Sequence, residues 1–146
     1  MAPPERIAVI GGTGEEGFGL ALRWARAGMR VVIGSREQQR GEEAAARIRA
    51  SVPRAQADGA VNEDAAAGAP VVVVSVPFAG QAPIYRSLAG HIAEDAVVVD
   101  CTAPLAAAVG GRASHVLGVW QGSAAEQAAA LLDGRSVCAA FHSLSA

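Results

Sequence analysis

Charge of either sign is scarce in this chain. Of its 146 residues 18% are charged, the net charge is -2, and lysine is missing altogether, so all 12 basic side chains are arginine. A balance this weak and slightly acidic excludes a broad electrostatic grip on nucleic acid. A hydrophobic share of 51% likewise excludes a disordered or highly charged binding tail. We attribute the missing lysine to a GC-rich genome; it says little about function. Cysteine is sparse too. Cys101 and Cys138 stand far apart with no CxxC or Cys/His ligand spacing, so no cysteine metal site is expected. Both lie in apolar runs, which points to buried free thiols rather than a disulfide. No apolar run approaches the ~18 residues of a membrane span, and Met1 to Arg6 holds no apolar signal segment. A soluble cytoplasmic protein without membrane contact is expected. No Ser-His-Asp order, carboxylate pair or metal cluster stands out, so hydrolysis and metal catalysis have no support.

The length fits one domain, residues 1–146, able to bury roughly 68–70% of its unfolded surface. Strand and helix patterns alternate along it. Residues 6–10 read as a short buried strand ending in glycine, and 15–27 as a helix with Phe18, Ala21, Leu22 and Ala25 on its apolar stripe. Gly28 closes that helix, and 30–33 form the second strand. A charged, alanine-rich helix over 37–50 follows, stopped before Pro53. Residues 60–61 suggest a two-residue strand, with Asn62 capping a short helix over 63–67. The unbroken run Val71-Val72-Val73-Val74-Ser75-Val76 implies burial on both faces, hence a parallel sheet covered by helices. A helix near 82–88, a strand over 96–100, an irregular Gly-rich stretch over 109–122, a helix capped by Ser123 and a last strand over 136–140 complete the pattern. About six strands with intervening helices describe a doubly wound, mostly parallel α/β sheet.

Gly12-Thr13-Gly14-Glu15-Glu16-Gly17 fits G-x-G-x-x-G, which alone is weak among 17 glycines. Its context strengthens it, because it leaves the first strand and opens the first helix. In that setting Gly12 makes the tight turn, Gly14 lets a pyrophosphate approach the backbone, and Gly17 lets the helix pack closely on the strand. Free N–H groups at the helix start would then hold the phosphates. This is the Rossmann dinucleotide-binding arrangement. Glu15 and Glu16 are read as first-turn acids favoured by the helix dipole, with backbone amides rather than their side chains facing the ligand.

The end of the second strand bears on which nucleotide binds. Where NAD-binding sheets place an acid for the ribose hydroxyls, this chain reads Gly34-Ser35-Arg36. A small hydroxyl beside a planar, permanently charged guanidinium suits a 2′-phosphate, and Arg40 falls on the same helical side as Arg36. Glu37 is the NAD-type alternative, although it comes one residue late and reads more simply as a first-turn acid. NADP is therefore the expected nucleotide. Phe78 is open between packing on the sheet edge and touching the nicotinamide. Asp100 is open between catalysis and bonding neighbouring backbone N–H groups. No catalytic residue is certain; His142, just past the last strand, is a weak candidate against a structural role. His91 and His115 lie in surface segments.

On Ile10-Gly11-Gly12-Thr13-Gly14 with Gly17, Gly34-Ser35-Arg36, Val76-Pro77-Phe78 and the closing 141–146 stretch, the chain resembles the F420-dependent NADP oxidoreductases. The resemblance runs over nearly the whole chain. It implies hydride transfer between NADP(H) and the deazaflavin coenzyme F420, with cofactor geometry rather than a protein acid or nucleophile carrying the chemistry. It places Thr13 to Glu16 against pyrophosphate and ribose, and Ser35, Arg36 and Arg40 on the 2′-phosphate. It adds nicotinamide-side contacts at Val76, Pro77, Gly80, Ala103 and Ala146. Family members continue into a helical C-terminal part that covers the deazaflavin and builds a dimer; it is missing here, so a homodimer is left open. Two other functions stay open: a non-catalytic NADP-binding or sensor module, and a related reductase whose acceptor is an imine, a flavin or a ferric chelate.

Overall fold

The computed structural model describes residues 5–144. Six parallel strands form one sheet: β1 (Ile7–Ile10), β2 (Val31–Ser35), β3 (Ala57–Val61), β4 (Val71–Val74), β5 (Val97–Asp100) and β6 (Ser136–Ala139). Their order across the sheet is β3-β2-β1-β4-β5-β6, the Rossmann order. The helices are α1 (Glu15–Arg26), α2 (Gln38–Ser51), α3 (Asn62–Ala66), α4 (Gln81–Leu88) and α5 (Ala124–Leu132), with 3₁₀ turns at Phe78–Gly80 and Ala106–Val109. None among the described residues is long and apolar enough to cross a membrane.

The valine- and isoleucine-rich strands are buried because helices cover both faces of the sheet. On one face α1 and α2 bring Leu20, Ala21, Ala25, Ala44, Ala45 and Ile48 onto Val9, Val31, Ile33 and Val73. On the other, α3, α4 and α5 bring Ala65, Ala66, Tyr85, Leu88, Ala128 and Leu132 onto Ala8, Ile10, Val72, Val74 and Val98. Each fully buried Ile, Val or Leu contributes about 1.5–3 kcal/mol relative to exposure. The register aligns Ile10 with Gly34 and Val74, and Val74 with Asp100. The carboxyl ends of the central strands therefore stand level at one edge, where a doubly wound sheet binds its ligand.

Several details differ from the sequence expectations. The stripe on α1 includes Leu20, whereas Phe18 and Leu22 are only half-buried. Gly17 brings the helix down on the glycine turn, and Phe18 instead sits beneath the Arg47 guanidinium, 4.3 Å from its ring centre. β3 has five residues rather than two. Its Ala-Asp-Gly-Ala-Val sequence hides it, because Gly59 is needed for contact rather than conformation. A Cβ there would stand 2.1 Å from the Glu42 amide nitrogen, so only glycine lets α2 lie this close to the edge strand. Glu42 Oε2 in turn accepts from the Gly59 N–H at 3.1 Å. Asn62 is the first residue of α3 and does not cap it. Ser123 does cap α5, its hydroxyl accepting from the Glu126 N–H at 3.2 Å. Cys101 is a buried free thiol as expected, but Cys138 is exposed, because β6 is an edge strand whose outer side stays open.

Candidate functional site

At the carboxyl edge lies a cavity of about 780 Å³, walled by the β1–α1 turn, the ends of β2 and β4, the start of α3 and the near side of α4. The turn follows directly from the glycines. Gly11, not Gly12, supplies the left-handed residue, with φ +77°. Gly12 is required for space instead, since a Cβ there would stand 2.8 Å from the Val9 carbonyl oxygen and 3.0 Å from Ile33 Cγ2. The Gly14 N–H closes the turn onto the Gly11 carbonyl at 3.0 Å. Gly14 then precedes α1 with no side-chain cap, and the first helical bond runs from the Phe18 N–H to the Gly14 carbonyl. The amides of residues 15–17 are left without helical partners, in a helix whose positive end faces the cavity edge. That is an anion cradle.

Beside it, Ser35 ends β2 with its hydroxyl oxygen accepting from the Glu37 N–H at 3.4 Å. Arg36 and Arg40 follow, both exposed and both lining the cavity. Neither takes part in an ion pair among the described residues, where Arg30 pairs with Asp58 and Arg49 with Glu42. Two guanidiniums with free forks next to a small hydroxyl suit a second anion. Glu37 precedes α2 and does not line the cavity, so the end of β2 presents no carboxylate there; the acid that lines the cavity is Glu63, from the start of α3.

The cavity thus brings together Thr13, Gly14, Ser35, Arg36, Arg40, Val76, Pro77 and Gly80 of the expected residues. Gly12 and Gly17 lie buried beneath the turn and shape it without lining the cavity. Glu15 is exposed outside the cavity; Glu16 is half-buried on the side of His142. Desolvation raises the Glu16 pKa, and the neighbouring His142 partly offsets that. Ala103 lies outside the cavity lining, and Ala146 falls outside the described residues. Phe78 is half-buried in its 3₁₀ turn and does not line the cavity. The His142 Nε2 meets the Thr102 carbonyl at 3.0 Å, away from the cavity lining.

Asp100 does not bond the neighbouring backbone amides as one of its expected uses required. It is fully buried, and side chains rather than backbone amides bond it: Tyr85 Oη donates to Oδ1 at 3.0 Å, while Thr102 Oγ1 and Gln81 Nε2 donate to Oδ2 at 3.0 and 3.2 Å. Gln81 also donates to the Ala124 carbonyl and accepts from Gln127. This network ties the end of β5 to α4 and α5 and holds the cavity's far wall in place. Burial, then the Asp100 charge, raises the Tyr85 pKa, so its hydroxyl stays a donor. Among the described residues no group of His, Cys, Asp and Glu is arranged to hold a metal ion.

Asn62 was missed as a site residue. It is 5% exposed, lines the cavity, and its Oδ1 is buried without a hydrogen-bond partner. It is the sole asparagine in the sequence, placed just after β3, a strand too weakly patterned to reveal where its carboxyl end falls.

The family described as NADP oxidoreductase, coenzyme F420-dependent, matches residues 6–104. The F420-dependent NADP reductase of Methanothermobacter thermautotrophicus is 44% identical over 97% of this chain and 62% of that protein. That of Methanocaldococcus jannaschii is 35% identical over 95% and 63%. The chain therefore spans about three fifths of the length of these relatives. In fold it is similar to a candidate F420-dependent NADP reductase from Arthrobacter sp. FB24, with TM-score 0.76 and 24% identity over 98% of this chain and 64% of that one. The lactate dehydrogenase of Cryptosporidium parvum follows the same fold, with TM-score 0.71 and 20% identity over 97% and 44%.

Proposed function

The chain belongs to the coenzyme F420-dependent NADP oxidoreductase family, and from that premise we propose that residues 1–146 form an NADP(H)-binding Rossmann domain that serves hydride transfer with the deazaflavin F420. One observation carries the reading: an uncapped helix start on a glycine turn and two unpaired arginines face one cavity. A pyrophosphate on the amides of residues 15–17 and a 2′-phosphate on Ser35, Arg36 and Arg40 would match the two anionic sites.

The bound pair of coenzymes supplies the hydride chemistry. The chain supplies positions. The glycine turn fixes the phosphates against α1, and Arg36 and Arg40 select the phosphorylated ribose. Val76, Pro77 and Gly80 form the wall along which the rest of the dinucleotide extends towards β5. The buried Asp100 network keeps that wall fixed, so orientation is set before the acceptor arrives. The nicotinamide-side roles of Ala103 and Ala146 belong to the same proposal, as do a homodimer and cytoplasmic residence, which light scattering and cell fractionation would read.

Calorimetric titration with NADPH and NADH, followed by stopped-flow mixing of the NADPH complex with oxidised F420, tests the proposal. Preference for NADPH with loss of the deazaflavin absorbance is expected. Equal affinity for the two nucleotides would refute the 2′-phosphate site. NADPH binding without transfer to F420 would leave a nucleotide-binding unit in place of an F420 reductase.

A further inference from the structure

We propose that the Glu16 carboxylate discriminates between the two redox states of the bound coenzyme, favouring the oxidised form through the positive charge on its nicotinamide ring. The inference rests on the cavity being an NADP(H) site. It adds a side chain with a role of its own to a turn whose other contacts run through backbone amides.

Position carries the inference. Glu16, Leu20 and Trp24 stand four residues apart and form one stripe along α1. Leu20 packs in the same buried cluster as Cys101, just past β5. The Trp24 ring meets that of Phe141, just past β6, edge-on with ring centres 6.0 Å apart. Glu16 continues the stripe by one turn, to the carboxyl edge of the sheet, where its neighbours are Cys101 and His142. It thus stands apart from the cavity wall that Thr13 and Gly14 form and faces the ends of β5 and β6.

A doubly wound sheet binds a dinucleotide across the point where its strand order reverses, with one nucleoside over each half. Here the reversal lies between β1 and β4. Ser35, Arg36 and Arg40 mark the β1–β2–β3 half as the side of the phosphorylated ribose. That leaves the β4–β5–β6 half, and Glu16 with it, to the nicotinamide.

Glu16 is the charge there without a partner. Asp100 is buried under three side-chain donors, and the Cys101 thiol, pushed up to about 12 by burial, stays neutral. His142 is bonded to the Thr102 carbonyl. Among the described residues the ion pairs are Arg30–Asp58 and Arg49–Glu42, and neither includes Glu16. Lost water raises the pKa of its half-buried carboxyl, which His142 offsets only in part, so a cation arriving beside it relieves a cost already present. The reduced nicotinamide is neutral and the oxidised ring carries one positive charge. Their phosphates are the same, so repulsion between phosphate and Glu16 cancels in the comparison. Giving up a hydride, with both electrons of its bond, to the deazaflavin is what leaves the ring charged, and the carboxylate therefore favours transfer in that direction.

The test is calorimetric titration of wild type, Glu16→Gln and Glu15→Gln with NADP+ and with NADPH at mildly alkaline pH. Glu16→Gln should weaken NADP+ relative to NADPH by about fivefold, the upper range for a partly exposed pair of opposite charges. That change raises the potential of the bound couple by about 20 mV. Glu15→Gln removes the same charge from the adjacent, exposed residue off the stripe, and should leave the ratio unchanged. A Glu16→Gln protein that alters both affinities equally, or a Glu15→Gln protein that shifts the ratio as far, would overturn the assignment of Glu16 while NADP(H) binding stands. Uptake of neither nucleotide by wild type would overturn the cavity reading and this inference with it.

Discussion

Replacing Gly17 by alanine probes the phosphate cradle at its tightest point. A Cβ at that position would stand 2.3 Å from Ser75 Oγ, 2.9 Å from the Gly11 carbonyl oxygen and 2.9 Å from Gly12 Cα. The serine hydroxyl bonds the Ile10 carbonyl at 3.2 Å, but it can rotate away. The two backbone atoms cannot move without opening the turn. Overpacking of this kind costs about 1–3 kcal/mol, and alanine recovers about 1 kcal/mol of helix propensity. The net destabilisation is about 1 kcal/mol, or about 3 °C in Tm by scanning calorimetry. Binding should suffer more, because the displacement falls on the amides of residues 15–17. NADPH affinity is expected to drop at least tenfold, about 1.4 kcal/mol. Adding Ser75→Ala removes the nearest clash, so it should recover part of the Tm and little of the affinity. A Gly17→Ala protein that melts higher than wild type and binds NADPH normally would refute the close-packing account.

Arg36→Ala should weaken NADPH binding by about 1–3 kcal/mol, the scale of charged hydrogen bonds, and leave NADH binding nearly unchanged; titration with both nucleotides reads the difference. Glu16→Gln tests the raised carboxyl pKa through its sign. Below the ordinary value of 4.5 the carboxyl is protonated in both folded and unfolded states, so variant and wild type should melt together. As pH rises past that value, the unfolded state ionises first and wild type loses stability, until the folded pKa is passed and the gap becomes constant. Melting curves across that range should show the glutamine variant increasingly the more stable. A thiol reagent at mildly alkaline pH should label one cysteine per folded chain, Cys138, because Cys101 is buried and its thiol is pushed up to about 12. Mass spectrometry that found Cys101 modified first would contradict the packing.

The sequence alone determined the doubly wound class, because fully apolar strands such as Val71–Val74 need cover on both faces and the intervening helical patterns provide it. It also picked out the two features that we propose as anion sites. A glycine turn opening a helix, and a serine-arginine pair at the next strand end, are local features whose geometry follows from a few adjacent residues. Tertiary structure alone decided what depends on contacts between distant segments. β3 exists because Gly59 and Gly41 let α2 approach it, and Asp100 is held by side chains because Tyr85, Gln81 and Thr102 converge on it from outside its strand. Cys138 stayed exposed because its strand took the edge, a position that its own apolar run cannot encode. Asn62 reached the cavity wall only because the end of β3 came level with the end of β2: residue type sets what a group can bond, and the fold sets which groups it meets.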